Sequence, residues 1–408
     1  MQHVLPIIEA VPENLPTRAC PACQGARAQV FFDLPSLPVN CISLWPTDEE
    51  ARSCPRGDIR LAFCPDCGAI FNQAFDSRAL EYDNRYDNSL HFSPSFQRYA
   101  EALADGLIER YQLRNKDIIE VGCGKGEFLA LLCSRGGNRG LGFDPTYEPG
   151  RVDTGAGGGF RVIADYYSDR YTSYPADFLC CRHVLEHIFS PRSFLMDIRR
   201  ALSTRTRCGV FFEVPNAFAV FRDLGIWDII YEHCFYYSPG ALERLFRASG
   251  FAVISTYQTF EGQYLCLEGK PATDAGQREI STVAREEVAE FKRTIERFAD
   301  DYRERTRYWR GELLASAKSG QRVVLWGAGA KGATFLNALR QVSNIQYIVD
   351  INPHKQGMFV PGTGQKVVSP QFLREYLPHL VVISNRNYEA EIKRTVGELG
   401  LRPAFQVV

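Results

Sequence analysis

The chain has almost no net charge: 47 lysines and arginines stand against 48 acids, leaving −1 at neutral pH. It has no basic arm and no block of like charge, so no overall field points to nucleic acid or to an anionic membrane. No apolar run approaches the roughly 18 residues a membrane-spanning helix needs. Met1 to Ala10 contains no charged segment leading into a long apolar core, so it does not read as a secretion signal. These absences predict a soluble, cytoplasmic protein without nucleic-acid or membrane partners. They also decide how the 13 cysteines are read. An odd number without a secretion signal predicts reduced thiols rather than a disulfide framework.

What is present begins with length. A chain of 408 residues, 45% hydrophobic, is long enough for two or three domains with ordinary cores. Four cysteines form two close pairs, Cys20-Pro21-Ala22-Cys23 and Cys64-Pro65-Asp66-Cys67. Each pair makes a knuckle that points two thiolates at one ion, and two knuckles complete a closed tetrahedral zinc site. Two independent pairs, one of them redox-active, would be the other reading, but neither sits at a strand-to-helix junction. Cys41 and Cys54 lie between the pairs and lack partners of that spacing. Residues 1–75 also carry nine prolines, too many for long helices, so a metal suits them as a staple.

The most informative stretch is Ile118-Ile119-Glu120-Val121-Gly122-Cys123-Gly124-Lys125-Gly126-Glu127. An apolar run ends in an acid, three alternating glycines follow, and a helix-like run begins at Phe128. Glycine lets the backbone approach a bound nucleoside and tolerates positive φ. A second apolar run, Leu141-Gly142-Phe143, ends at Asp144, placed to accept hydrogen bonds from ribose hydroxyls. The glycine spacing, with an acid in front, resembles the S-adenosylmethionine (SAM) site of class I methyltransferases more than the dinucleotide fingerprint. By that resemblance Glu120, Gly122, Gly124, Gly126 and Asp144 would hold the cofactor. Asp165 would reach the adenine amine, with Tyr166 stacking nearby.

Around this motif the pattern alternates. Strands are expected at 117–121, 139–143, 160–164, 177–183 and 208–214, and helices at 95–111, 126–135 and 191–203, which implies a parallel sheet covered on both faces. Ser238-Pro239 opens a further helix that Gly250 closes, and two strand-like runs follow. Residues 275–318 carry apolar residues at helical spacing and read as one or two long amphipathic linker helices. A second, smaller βα unit begins at Val323-Val324-Leu325-Trp326, followed by Gly327-Ala328-Gly329-Ala330-Lys331-Gly332. The expected fold is α/β. A zinc module spans 1–75, a central Rossmann-like SAM domain 76–270, a helical linker 271–318 and a smaller Rossmann-like domain 319–408.

This combination, with Ile230-Tyr231-Glu232-His233-Cys234-Phe235-Tyr236-Tyr237-Ser238, resembles the sugar C-methyltransferases, which methylate a carbon of nucleotide-linked 4-keto-deoxysugars. The resemblance covers essentially the whole chain. It implies His233 as the base that removes a proton beside a ketone, and Glu232 as the residue orienting that imidazole or binding a sugar hydroxyl. Histidine suits the task because its pKa lies near operating pH. The family usually separates the Tyr from the Glu-His by one residue, whereas Tyr231 is contiguous here. His187, in Arg182-His183-Val184-Leu185-Glu186-His187, matches a family active-site histidine. Tyr86, within the polar aromatic run Tyr82 to Ser93 that also holds His91, would reach the sugar. Lys331 and Gly329 would bind the substrate diphosphate, with NAD, its ribose on Asp350, as the alternative ligand of that loop, and Asn216 ends a strand at the same rim. The partner is thus a nucleotide-linked keto-sugar, with SAM and zinc as cofactors and a monomer or a homodimer as the assembly.

Overall fold

The structure is a computed structural model describing residues 19–80, 89–150, 159–273, 282–342 and 344–408. The N-terminal part builds an antiparallel sheet from β1 (Gln29–Pro38), β2 (Arg56–Phe63) and β3 (Ile70–Asn72). Alternating burial puts Phe32 and Leu34 of β1, and Ile59 and Leu61 of β2, into the core. The two cysteine knuckles sit at the end of this sheet. Cys64 N–H closes onto the Ala69 carbonyl, and Gly68, at φ +76°, makes the knuckle turn.

The central sheet contains β4 (Asp117–Val121), β5 (Arg139–Phe143), β6 (Phe160–Ile163), β7 (Phe178–Arg182) and β8 (Gly209–Pro215), all parallel. A two-residue strand β9 (Phe235–Tyr236) follows. The hairpin of β10 (Phe251–Thr259) and β11 (Tyr264–Pro271) then adds antiparallel to β8. The strand order is β10-β11-β8-β7-β4-β5-β6. The chain leaves β4 on one side for β5 and β6, then crosses to β7 on the other, so a crevice opens at the carboxyl ends of β4 and β7. The helices Pro94–Tyr111, Glu127–Gly136, Pro191–Ala201 and Pro239–Ala248 flank the sheet. Three of them start with a serine before a proline at the first turn; the Ser93 and Ser238 hydroxyls accept the N–H of Phe96 and Ala241.

One helix, Thr282–Lys318, runs from the central domain to the last one. Phe291, Ile295, Phe298 and Tyr302 form its buried stripe, and Phe298 packs edge-on against Phe31 and Phe32 of β1 and Phe221. The last domain is a five-stranded parallel sheet of β12 (Val323–Trp326), β13 (Tyr347–Val349), β14 (Lys366–Val368), β15 (Leu380–Ile383) and β16 (Ala404–Val407), in the order β14-β13-β12-β15-β16. Its switch point lies between β12 and β15.

The parts are interlocked more than the sequence suggests. The fourth strand of the N-terminal sheet is β9, paired with β3 through Ile70–Tyr236 and Phe71–Phe235. Trp45 bridges to Phe359 of the last domain. Among the described residues no helix is long and apolar enough to cross a membrane.

Candidate active site

The loop after β4 turns by positive φ at Gly122 (+70°), Gly124 (+56°) and Gly126 (+90°). A side chain at Gly122 would meet Val184 Cγ2 at 2.1 Å, whereas one at Gly124 would meet nothing within 4 Å. Gly124 therefore bounds open space, and its N–H donates to Asp144 Oδ2 at 2.9 Å. Asp144 Oδ1 accepts from the Thr146 N–H and hydroxyl. Glu120 is 2% exposed, and its Oε2 has no hydrogen-bond partner. Burial pushes its carboxyl up to about 8, against the pull of Arg182. A buried carboxyl with one unpartnered oxygen, beside a glycine that leaves space open, fits a ligand carrying an amine and ribose hydroxyls. Asp165 and Tyr166 sit beyond β6. Asp165 accepts from Arg170, from the Tyr171 hydroxyl at 2.6 Å and from the Tyr166 N–H, and Tyr166 is 65% exposed.

A cavity of about 250 Å³ lies between the carboxyl ends of the two parallel sheets. From the central domain His183, Glu186, His187, Pro215, Asp228 and His233 line it, and from the last domain Gly327, Gly329, Lys331, Ser384 and Asn385. The second group marks the β12/β15 switch point, where an open parallel sheet binds ligands. The acid after the second strand uses the same device here as in the central domain: Ala328 N–H donates to Asp350 Oδ2 at 2.8 Å. Lys331 also faces the cavity and is ion-paired with Asp228.

His187 and His233 meet edge to face, with ring centres 5.0 Å apart. The His187 ring donates to the Glu232 backbone carbonyl, whereas His233 Nδ1 has no hydrogen-bond partner. Burial first, then any positive charge on His187, His183 and Lys331 beside it, holds His233 well below the usual histidine range, so it is neutral at pH 7. Burial likewise lowers His187. His183 behaves oppositely. Burial opposes its charge, but Glu186 and Glu213 outweigh burial and raise it to about 9. Its Nε2 lies 2.8 Å from Glu213 Oε1 and its Nδ1 3.7 Å from Glu186 Oε1. It takes a left-handed backbone, φ +55°, where β7 ends.

Several expected residues are placed differently from the expectation. Tyr231 does not line the cavity. Its hydroxyl accepts from the Asp76 N–H at 2.9 Å, and its ring packs on Phe75 at 5.4 Å, because the Tyr231-Glu232 segment folds against the N-terminal sheet. Glu232 is fully buried and accepts from the Cys41 N–H. Burial, against the backbone donors of Cys41 and Ile42, raises it to about 7. It holds the loop beneath His233 rather than the imidazole itself. Asn216 is 1% exposed, with its amide donating to the Gly262 carbonyl at 2.9 Å and accepting from Phe218 at 3.1 Å, so both ends are used internally. His91 packs edge-on against Phe96, and burial lowers it to about 4. Tyr86 lies outside the described residues. Glu213, which Tyr99, Arg182 and His183 all contact, had no signal beyond ending a strand.

The four cysteines of the knuckles converge. Their sulfurs lie within 4.8 Å of one another, with Cys20–Cys67 and Cys23–Cys64 each at 3.6 Å. Zinc–sulfur bonds of about 2.3 Å in a tetrahedron put sulfurs about 3.8 Å apart, so the set fits that ion. The Arg244 guanidinium donates to the Cys67 carbonyl at 2.8 Å and ties the knuckle to the helix that follows β9.

Two family models match this chain. A family model described as a methyltransferase domain matches residues 96–256, and one described as a C-methyltransferase C-terminal domain matches 263–400. C-methyltransferase NovU of Streptomyces niveus is 26% identical over 324 residues, 73% of this chain and 73% of that protein. Among solved structures, the 1,6-didemethyltoxoflavin-N1-methyltransferase of Burkholderia thailandensis with S-adenosylhomocysteine is 16% identical. It covers 44% of this chain and 81% of that one at a TM-score of 0.34. A SAM-dependent methyltransferase of Aquifex aeolicus is 15% identical, covering 44% and 94%, also at 0.34. The protein is a SAM-dependent methyltransferase. Its residues 263–400 are what carries the match to a C-methyltransferase C-terminal domain.

Proposed function

We propose that the enzyme methylates a carbon beside the ketone of a nucleotide-linked 4-keto-deoxysugar, with His233 as the base. The observation that carries this reading is the pair of cavity-lining histidines whose environments push their protonation in opposite directions. Such a divergence separates a base from an acid in one site. His233 is neutral and keeps a lone pair; His183 is a cation held by Glu213 and Glu186. A ketone seated between them would lose its α-proton to His233 while its oxygen gained negative charge facing His183. SAM, when bound, supplies an electrophilic methyl. Glu120, Gly122, Gly124, Gly126 and Asp144 would hold it, with Asp165 and Tyr166 at the adenine end. The carbanion left by proton removal is the nucleophile, and no covalent bond to the protein forms. His187 supports His233 from the side, and Glu232 and Tyr231 anchor the segment that carries it.

Lys331, with Gly329 at the start of its helix, faces the diphosphate; Asp228 keeps the ammonium in place until phosphate displaces it. Tyr86 and His91 would be secondary contacts for the sugar, while Asn216, its amide hydrogen-bonded to Gly262 and Phe218, shapes the rim. Cys20, Cys23, Cys64 and Cys67 would hold zinc. It has a structural role, since four thiolates leave no open position. The reaction belongs in the cytoplasm.

The test is incubation with SAM and a panel of nucleotide 4-keto sugars in deuterated water. Deuterium enters the carbon beside the ketone in the intact enzyme and not in His233→Asn, with methyl transfer lost in parallel. Exchange that survives in His233→Asn removes the base assignment.

A further inference from the structure

Glu186 lines the cavity with its hydrogen-bonding capacity unused. It is 1% exposed, and among the described residues neither of its carboxylate oxygens accepts a hydrogen bond. We propose that Glu186 is a specificity-determining contact, accepting a hydrogen bond from a hydroxyl on a ring carbon that flanks the ketone of the substrate. The inference rests on the keto-sugar reading of the cavity and deepens it by naming a group that the sugar must carry.

The cation beside Glu186 does not satisfy it. His183 Nδ1 stands 3.7 Å from Glu186 Oε1, beyond hydrogen-bond reach, while Nε2 of the same ring lies 2.8 Å from Glu213 Oε1. His183 is therefore anchored through Glu213, and Glu186 keeps its acceptor capacity. A buried carboxylate without donors is costly, so a site that leaves one open is completed by its ligand. The backbone that carries Glu186 is fixed: Cys234 Sγ donates to the Glu186 carbonyl at 3.4 Å, and the Tyr237 hydroxyl to the Leu185 carbonyl at 3.3 Å. The terminal torsion of a glutamate is broad, so an oxygen can turn to a donor while the rest of the side chain stays in place. A carboxylate oxygen of Glu186 and a ring nitrogen of His233 lie within 4.8 Å of each other. A group that reaches Glu186 while His233 takes the α-proton is therefore within a few bonds of that proton, which puts it on a carbon flanking the ketone.

The charge balance selects a hydroxyl over an amine. Arg182 and His183 are matched by Glu213 and Glu186, and Lys331 by Asp228. An amino substituent, cationic at pH 7, would add an unmatched charge beside His183, whereas a hydroxyl brings a donor and no charge. A sugar lacking that hydroxyl leaves the carboxylate unpaired, and a site built around a buried polar group rejects such an analogue strongly.

The experiment measures binding without methyl transfer. The full-length enzyme, its cysteine cluster loaded with zinc, is saturated with S-adenosylhomocysteine and titrated calorimetrically at pH 7. The titrants are nucleotide 4-keto sugars carrying a hydroxyl, a hydrogen or an amine on a carbon flanking the ketone. The intact enzyme should bind the hydroxy sugar at least tenfold more tightly than the deoxy sugar. That ratio should fall to about one in Glu186→Met and persist in His233→Asn, because the contact needs no proton transfer. Zinc content and S-adenosylhomocysteine binding check that the variants fold. A preference that survives in Glu186→Met, disappears in His233→Asn or is absent from the intact enzyme overturns the Glu186 contact; tighter binding of the amino sugar overturns the hydroxyl. Failure of the base assignment is read separately, as deuterium exchange that survives in His233→Asn, and leaves these ratios as they are. Failure of the keto-sugar reading shows as no binding of any of these sugars to the intact enzyme, which overturns this contact as well.

Discussion

Replacing Glu213 by glutamine removes one charge from a buried cluster of Arg182, His183 and Glu213. Glu213 is fully buried at the end of β8, where Arg182 Nη2 lies 2.8 Å and His183 Nε2 2.8 Å from its Oε1. The hydroxyl of Tyr99 donates to its other oxygen. Burial alone would raise this carboxyl, but Arg182 and His183 outweigh it and lower the group from 4.5 to about 2. A shift of that size corresponds to roughly 3 kcal/mol of differential interaction at about 1.4 kcal/mol per unit. His183 is raised by a similar amount, from 6.5 to about 9. The two shifts share the Glu213–His183 pair, while Arg182 adds to the first and Glu186 to the second, so they are not summed. Removing one partner of a buried pair costs about 3–5 kcal/mol, because the other charge is left uncompensated. Glu213→Gln should therefore lower the opening free energy around β7 and β8 by about 3 kcal/mol.

The pH dependence has a definite sign. The contribution of Glu213, whose pKa is lowered on folding, is present above pH 4.5 and is lost as pH falls through about 2. The contribution of His183, whose pKa is raised, is complete below pH 6.5 and is lost as pH rises through about 9. The gap between wild type and variant should be widest between these limits and narrow toward pH 9. Native-state hydrogen exchange at the β7 and β8 amides measures it locally, without requiring the several domains to unfold together. A drop of about 3 kcal/mol is roughly a hundredfold loss of protection. Protection unchanged within threefold at pH 6 would refute the claim that this cluster depends on its charges.

Other outcomes follow from the same geometry. The acid limb of kcat/KM should lie below the ordinary histidine range, near pH 6.5, because His233 stays neutral well below it; a limb at or above that pH contradicts a buried base. Removing metal by chelation, or Cys64→Ser, should abolish methyl transfer, since β9 pairs with β3 and begins two residues after His233. Full activity in a chain shown by metal analysis to be zinc-free would refute that coupling. Gly122→Ala should weaken SAM binding by calorimetry at least tenfold, because its Cβ would fall 2.1 Å from Val184 at a positive φ. Lys331→Met should raise KM for a nucleotide sugar while leaving SAM affinity intact; equal KM values would remove Lys331 from the diphosphate site.

The motif around Glu120, the alternation of strands and helices and the two cysteine pairs could be read from the sequence because each depends on local spacing. The strands expected at 117–121 and 139–143 appear with those bounds, and the others differ by a residue or two at their ends. Periodicity and glycine placement act within about ten residues, where chain geometry permits few alternatives. Residues 275–318 left one or two helices open; a single helix from Thr282 to Lys318 is observed, its apolar stripe continuous because β1 and the last domain bury successive parts of it.

The site divided along different lines. Tyr231, Glu232 and His233 are neighbours in the chain, yet Tyr231 reaches Asp76, Glu232 reaches Cys41 and His233 faces the cavity. The direction of each side chain depends on which sheet covers that face of the segment, and adjacent residues give no sign of this. The sequence by itself determined the α/β class, the glycine loop and the paired thiols, since local spacing and backbone sterics suffice for these. Tertiary structure alone decided which carboxylates lie beside which histidines. Burial and the neighbouring charges then set a neutral His233 next to a cationic His183, because protonation inside a protein follows distances that only folding creates.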